Sequence, residues 1–155
     1  GMQTDDIRIP QALEIAEERG IVVSFGQAIL REAHPNTAQL ILHGRSGQRL
    51  EIIGQSLGGS RINIAQLDGI ETNFSGESPT LVVYNEDRPG HVSEVTTMLS
   101  NQNINIASMR LYRSSRGGEA VMVVECDQEV PESGIDWLRG FDGIRKVTYL
   151  GMTGE

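Results

Sequence analysis

Short runs in which apolar and polar residues alternate fill the middle of the chain, which is typical of strands that cover one face. Two of these runs flank a Gly44–Gly47 turn, and the next two are joined by an Asp68-Gly69 turn, as in hairpins. The sequence therefore predicts four consecutive strands, TAQLILHG (37–44), QRLEIIGQS (48–56), RINIAQLDG (61–69) and IETNFSG (70–76).

The segment before these strands combines a helix with a further strand. Arg8–Gly20 has Pro10 near its start, apolar residues on one stripe and Gly20 at its end, which predicts a short amphipathic helix. IVVSF (21–25) follows and is rich in β-branched residues, so we expect a strand there. The first half of the chain is thus a mixed α/β region.

The second half has a more regular pattern, with apolar residues spaced first as in a strand, then as in a helix, and so on in the order βαββαβ. This order gives a four-stranded antiparallel sheet with both helices on one face, the ferredoxin-like arrangement, and the fold class is α+β. Polar residues at Ser75–Pro79 separate the halves, so we place the domains at 1–76 and 77–155. The predicted elements are strands 80–84, 104–113, 119–126 and 144–150, with helices at 89–102 and from Pro131 through Leu138.

The strand EAVMVVEC (119–126) is apolar on both faces, because Ala120–Val124 contains no polar residue. The helix-free face of the second sheet therefore needs a cover. Either the first half or a second copy of the chain can provide it, and we expect a homodimer.

Composition narrows the classes of partner. The chain has 155 residues, and 13 basic against 21 acidic residues give a net charge of −8. Nucleic acids and anionic membranes require clustered basic residues, so we expect neither as a partner. The longest apolar run, Ala120–Val124, is far shorter than the roughly 20 residues of a membrane span, which favours a cytoplasmic protein. Gly1-Met2 is compatible with a cloning remnant or with a native start.

Metal binding and hydrolytic catalysis have little support in the sequence. The single cysteine, Cys126, lies in a Val-rich strand and is expected to be a buried packing residue. Three scattered histidines form no metal-binding spacing, and no serine-centred nucleophile motif is present. We therefore expect no catalytic residue and no metal ligand in this chain.

Two short segments of the first half are candidate contacts for an anion or for another subunit. His34 and Asn36 lie in HPNT, which suits either a structural turn or a functional contact. Gly58, Gly59 and Arg61 lie in SLGGSR, which either holds a carboxylate or phosphate with its backbone amides or simply connects two strands. The residues alone leave these alternatives open.

NEDRPGHVSEV (85–95) contains the clearest candidate site. A loop that follows a strand and opens a helix presents free backbone amides that hold carboxylates, and Gly90 allows a ligand to approach the backbone. An amino acid would also need acceptors for its ammonium group, which Asp87 and Asn105 can supply. We expect Arg88 to remain solvated. The alternative is that Asp87 caps the helix and Asn105 belongs to a turn.

NEDRPG, NINIASM (103–109) and GGEAVMVVE (117–125) together resemble the ACT domain, a small-molecule sensing module of amino acid metabolism. The resemblance covers Pro79 to about Leu150. It implies that paired copies bind an amino acid at their interface, through the loop before the first helix and the start of the second strand. The implied ligand-binding residues are Asp87, Pro89, Gly90, His91, Asn105 and Ile106.

Three motifs of the first half extend the resemblance to nearly the whole chain: TDDIRIPQALEIAEERGI (4–21), AHPNTAQL (33–40) and SLGGSRINIAQLDG (56–69). Followed by the ACT pattern, they resemble the beta chain of the bacterial iron-sulfur-dependent L-serine dehydratase. That family implies conversion of L-serine to pyruvate and ammonia by a [4Fe-4S] cluster held by the cysteines of a catalytic alpha chain. Cys126 is then not a ligand, and this chain binds no cofactor itself.

One departure from this family is the absence of a Pro-Ser-Ser-Ser-His-Thr motif, which makes the chain similar to a C-terminal portion or a shortened subunit with an incomplete first domain. We therefore expect a regulatory and assembly subunit that senses L-serine or a related amino acid and does not catalyse alone. Two alternatives stay open: a stand-alone amino-acid-sensing ACT module, and the regulatory tail of a D-3-phosphoglycerate dehydrogenase, which has a similar first half.

Overall fold

A computed structural model describes Met2 and residues 5–30, 33–59 and 61–152 of the chain. Gly1 of the opening dipeptide, Thr4 of TDDIRIP and Ser60 of the SLGGSR loop lie outside the described residues. The described residues form two compact units, one ending at Ala33 and the other comprising His34–Met152. The predicted domain division at residues 76 and 77 stays a prediction.

The first unit contains the predicted helix but lacks the predicted strand. A 3₁₀ turn at Ile9–Gln11 leads into α1, Ala12–Glu18. The expectation of a strand over residues 21–25 is wrong, because the segment pairs with no strand among the described residues. Val22 is 96% exposed and Phe25 is 83% exposed. β-Branched composition favours a strand only where a neighbouring strand completes its hydrogen bonds.

The second unit consists of two four-stranded antiparallel sheets and two helices. The elements are β1 Thr37–His43, β2 Arg49–Gly58, β3 Arg61–Leu67, β4 Ile70–Phe74, β5 Thr80–Glu86, α2 His91–Asn101, β6 Ile106–Arg113, β7 Glu119–Cys126, α3 Glu132–Arg139 and β8 Ile144–Leu150. The first sheet has the order β1-β2-β3-β4 and contains the four strands predicted in the first half. The second sheet has the order β6-β7-β5-β8, and α2 and α3 complete its βαββαβ unit. The α+β class and the ferredoxin-like arrangement are therefore confirmed.

One apolar core lies between the second sheet and its helices. Met122 and Val124 of β7 are fully buried there, together with Val95 and Leu99 of α2 and Leu138 of α3. Alternate residues of a strand point to opposite faces, so the neighbouring valines of β7 face away from the helices.

A second core lies on that other face, between the two sheets. Val82, Val121 and Val123 of the second sheet pack with Leu67 and Phe74 of the first, and all five are at most 4% exposed. The face without helices is therefore covered by the first half of the same chain, which answers the question left open by the sequence. The predicted homodimer stays a prediction.

Polar contacts tie the two sheets together at the edges of this core. The Tyr112 hydroxyl accepts a hydrogen bond from the Asn73 amide at 2.9 Å. The Lys146 ammonium lies 3.0 Å from Asp68, whose carboxylate also accepts the Glu51 amide at 2.8 Å. Burial opposes the ionisation of Asp68, but these donors outweigh it and lower the pKa of Asp68. Asp68 therefore remains a carboxylate that bridges both sheets at neutral pH.

Candidate functional site

The loop between β5 and α2 leaves the first turn of the helix open. Gly90 has φ 113° and ψ −43°, and nothing lies within 4 Å of the place a Cβ would occupy. A residue with a side chain would be strained at this φ. No side chain caps α2, and no acceptor is recorded for the amides of His91, Val92 and Ser93 among the described residues. These free donors suit a carboxylate.

The two carboxylate oxygens of Asp87 differ in their hydrogen bonding. Its Oδ2 accepts the Gly117 amide at 2.8 Å and the Arg113 guanidinium at 3.2 Å, which ties the loop to the β6–β7 hairpin. The Gly117 amide, followed by Arg113, lowers the pKa of Asp87, so the carboxyl is ionised at neutral pH. No partner within the described part of the chain is recorded for Oδ1, which leaves one oxygen for a ligand.

His91 connects the loop to the turn before β8. The imidazole is 3% exposed, its Nε2 accepts the Arg88 Nε–H at 3.2 Å, and its Nδ1 lies 2.7 Å from Glu94. Because the arginine can only donate, Nε2 is the acceptor and Nδ1 carries the hydrogen. Arg88 also donates to the Asp142 carboxylate at 2.8 Å. Arg88 is exposed, as expected of a solvated side chain, and its guanidinium in addition holds the imidazole and the turn before β8.

This network leaves no room for a side chain at Gly143. Gly143 has φ +86°, and a Cβ there would lie 2.5 Å from Arg88 Nη2 and 2.8 Å from His91 Nε2. Gly143→Ala should therefore strain the backbone and displace both side chains, which we expect to lower the free energy of unfolding by about 2 to 4 kcal/mol in chemical denaturation.

The matched control for this prediction is Gly47→Ala. Gly47 has a similar φ of +81°, but nothing lies within 4 Å of its Cβ position. Gly47→Ala should therefore lower the free energy of unfolding by only about 1 kcal/mol, which is the contribution of backbone strain. Equal losses in the two variants would show that the Arg88–His91 contact contributes nothing.

Asn105, at the start of β6, is exposed and is held from two directions. Its side-chain amide donates to Asp127 Oδ2 at 2.6 Å, and its backbone amide donates to Gln128 Oε1 at 2.7 Å. The neighbouring Ile106 is half-buried and packs against the core under the helices. Asn105 thus has a fixed side chain, and no partner is recorded for its Oδ1 among the described residues.

A single copy does not bring Asp87 and Asn105 together. β5 and β6 both run antiparallel to β7, so they are parallel to each other. Asp87 follows the last residue of β5, whereas Asn105 precedes the first residue of β6, at the opposite end of the sheet. Seven strand residues at ~3.3 Å each separate the two ends by roughly 20 Å. The Pro89–Gly90–His91 group lies at the Asp87 end.

The candidate residues of the first half meet at one end of the first sheet. The Asn36 carbonyl accepts the Ser56 amide at 2.9 Å, next to the β2–β3 turn, where Gly58 pairs with Arg61. His34 Nδ1 accepts the Asn36 amide at 3.2 Å, so HPNT is an internally bonded turn. All five candidates, His34, Asn36, Gly58, Gly59 and Arg61, are exposed, and their role as an anion or subunit contact stays a prediction.

The described residues do not fit an iron-sulfur cluster. Cys126 is the single cysteine of the chain and is 1% exposed, as expected for a packing residue. Burial, with a smaller contribution from Asp127, raises the pKa of the thiol to about 11. No group of three His, Cys, Asp or Glu side chains in the described ranges could hold a metal ion. Within those ranges no helix has the length and apolarity needed to cross a membrane.

Sequence reasoning missed four residues that shape these sites. Arg113 and Gly117 hold Asp87, while Asp127 and Gln128 hold Asn105. A signal existed for Gly117, because Gly117-Gly118 between two predicted strands is typical of a hairpin turn. Asp127 and Gln128 follow a strand in an ordinary polar turn, so nothing in their pattern pointed to Asn105.

Comparison with known proteins identifies the second sheet and its helices. Residues 80–139 match the family model of the ACT domain, so this region of the chain is an ACT domain. It is 35% identical over 147 residues to the probable L-serine dehydratase beta chain of Bacillus subtilis, covering 95% of this chain and 66% of that protein. The resemblance to L-serine dehydratase beta chains is confirmed.

The chain is also similar in sequence to two further relatives. The L-serine dehydratase beta chain of Peptoniphilus asaccharolyticus is 28% identical, with 97% of this chain and 68% of that protein covered. The D-3-phosphoglycerate dehydrogenase of Methanocaldococcus jannaschii is 31% identical over 94% of this chain but only 27% of its own length. The chain thus spans about two thirds of the beta chains and about a quarter of the dehydrogenase.

Proposed function

We propose that the chain is a cytoplasmic regulatory and assembly subunit of an L-serine dehydratase, whose paired ACT domains bind L-serine or a related amino acid. The observation that carries the proposal is the division of the site between the two ends of one sheet. One end offers the free amides at the start of α2 and the open oxygen of Asp87, and the other offers the fixed Asn105.

Pairing through β6 would unite the two halves of the site. β6 is the edge strand of its sheet, and in the part of the chain that the structure describes no strand pairs with its outer side. Leu111 on β6 is 48% exposed. A two-fold axis near the middle of β6 places the start of β6 in one copy beside the end of β6 in the other copy. Asn105 of each copy then approaches Arg113 and Asp87 of the second copy, and two equivalent sites form.

Each group of an amino acid has a counterpart in this composite site. The carboxylate meets the free amides of α2, where the helix dipole also favours negative charge. The ammonium group meets Oδ1 of Asp87 from one copy and Oδ1 of Asn105 from the other. A ligand that bridges both copies favours the paired arrangement by as much as it prefers that arrangement over the unpaired one.

The catalytic assignment rests on the relatives. The two beta chains named above are parts of L-serine dehydratases, and this chain has neither the cysteines nor the metal-binding groups for the chemistry among its described residues. We propose that a separate alpha chain carries the [4Fe-4S] cluster. Co-purification with a cysteine-rich partner tests that assignment. A chain that binds serine tightly and associates with no such partner would be a stand-alone sensor.

A second candidate has one specific observation in its favour. The similarity to the Methanocaldococcus dehydrogenase covers nearly the whole chain, as the similarity to the beta chains does. In that case the chain corresponds to the regulatory tail of a D-3-phosphoglycerate dehydrogenase. Serine binding would then inhibit the attached dehydrogenase. In a dehydratase subunit, serine binding would instead regulate the enzyme that consumes serine.

Calorimetric titration of the full chain with L-serine tests the proposal. We expect saturable binding with one serine per chain. Asn105→Ala and Asp87→Ala should each weaken it by about 5- to 150-fold, or about 1 to 3 kcal/mol, because a ligand donor is left unpaired. Asn101→Ala, an exposed asparagine at the end of α2, is the matched control and should leave the affinity unchanged. No saturable heat at millimolar serine, with another amino acid binding well, would remove serine as the ligand.

A further inference from the structure

We infer that Asp127 is a positioning residue that fixes the orientation of Asn105 and thereby makes the site selective for ligands with an α-ammonium group. This inference rests on the proposed function, because it concerns the half of the site that Asn105 provides. Nothing in the motifs of the chain assigns a role to Asp127.

The hydrogen bonds determine which end of the Asn105 amide faces outward. A carboxylate can only accept, so the group lying 2.6 Å from Asp127 Oδ2 must be the NH₂ of Asn105. The other end, Oδ1, is then directed away from Asp127 as a pure acceptor. Without Asp127 the amide could turn over and present a donor, because Asn105 is exposed and its oxygen and nitrogen ends have the same shape.

The backbone fixes the position of the pair as a whole. The Asp127 amide donates to the Asn105 carbonyl at 3.1 Å, and Gln128 accepts the Asn105 amide at 2.7 Å. Asp127 and Asn105 are therefore joined by one backbone and one side-chain hydrogen bond. Ligand binding would then require no rearrangement of the Asn105 side chain, and fixed groups bind with less loss of entropy.

This orientation has a consequence for selectivity. Asn105 Oδ1 and Asp87 Oδ1 are both acceptors, so the site favours a ligand group with several N–H donors at that point. L-Serine offers three on its ammonium group. L-Glycerate, which has a hydroxyl in place of the ammonium group, offers one. An acceptor that the bound ligand shields from water and leaves unpaired is costly. The site should therefore distinguish an amino acid from the corresponding hydroxy acid.

Two variants of one residue separate positioning from charge. Asp127→Leu removes the acceptor, whereas Asp127→Asn keeps an oxygen that can accept the Asn105 amide but loses the negative charge. We expect Asp127→Leu to weaken L-serine binding about tenfold and to narrow the preference for L-serine over L-glycerate. Asp127→Asn should stay within about threefold of wild type in both respects.

The orientation of Asn105 can also be tested without a ligand. In two-dimensional ¹⁵N spectra of the full chain, the two Asn105 side-chain amide protons should be well separated in wild type and in Asp127→Asn, and should collapse toward free-amide positions in Asp127→Leu. Free-amide positions in wild type, or unchanged spectra and binding in Asp127→Leu, would overturn the inference. Equal weakening in both variants, with selectivity intact, would overturn it in favour of a charge effect. If wild type binds no serine but the Asn105 amide behaves as expected, the proposed function and the selectivity fail, whereas the positioning of Asn105 by Asp127 stands.

Discussion

Val123→Asp should unfold the chain at markedly lower denaturant concentration than wild type. Val123 is 2% exposed and lies between the two sheets, packed with residues from both halves of the chain. Arg110 on the neighbouring strand lies opposite Val123, but its guanidinium already donates to the Asn73 carbonyl. A carboxylate in this apolar layer would lose its hydration, which costs several kcal/mol. We expect a loss of about 3 to 5 kcal/mol, and a fall in Tm of about 10 °C or more.

The same substitution at Val92 is the control. Val92 is 43% exposed in the first turn of α2, where an acidic side chain suits the helix dipole. Val92→Asp should therefore melt within about 2 °C of wild type. If the Tm of Val123→Asp also lay within about 2 °C of wild type, the two sheets would not be packed together in solution. The helix-free face would then need another cover.

Leu111→Lys should separate paired copies and abolish serine binding while the single chain remains folded. Leu111 lies on the free edge of β6 and is 48% exposed, so a lysine there costs the monomer little. Across a two-fold axis the two lysines would lie near each other, and charges on an edge strand oppose pairing. We expect monomers in analytical ultracentrifugation and a loss of serine affinity of at least 100-fold.

Leu57→Lys provides the matched control for this edge. Leu57 is a comparably exposed leucine, 46%, but lies in β2 of the other sheet. It should leave both association and serine binding unchanged. Intact binding in a monomeric Leu111→Lys variant would show that one copy suffices, and the composite site would have to be abandoned.

The parts of the fold that sequence predicted well are those in which local pattern and tertiary partner agree. β7 and β8 begin and end at the predicted residues. Gly117-Gly118 and Asp142-Gly143, which are typical turn sequences, lie directly before their first residues. The segment 21–25 has an equally strong strand composition, but among the described residues no strand pairs with it to complete its hydrogen bonds. Composition alone carries no information about whether a partner exists.

The sequence singled out the residues of the candidate site, whose role stays a prediction, but did not indicate where the fold places them. Gly90 and Asp87 were singled out by the loop before α2, and the structure places them at an open helix start. The residues alone did not indicate that a strand, a helix and a parallel strand put the end of the first strand and the start of the second at opposite ends of the sheet. A ligand shared by Asp87 and Asn105 therefore requires the paired copies that the family resemblance implies. Contacts such as Arg88 with Asp142 span more than fifty residues, and no local pattern indicates them.

The parallel course of β5 and β6 has a consequence for how such a sensor would respond in a cell. If each amino acid spans two copies, its occupancy depends on the abundance of the subunit as well as on the abundance of the metabolite. Dilution would weaken the response, and the metabolite would in turn promote association by the same factor, since the two equilibria are linked. Synthesis of more subunit would then lower the amino acid level at which the response begins, without any change in sequence.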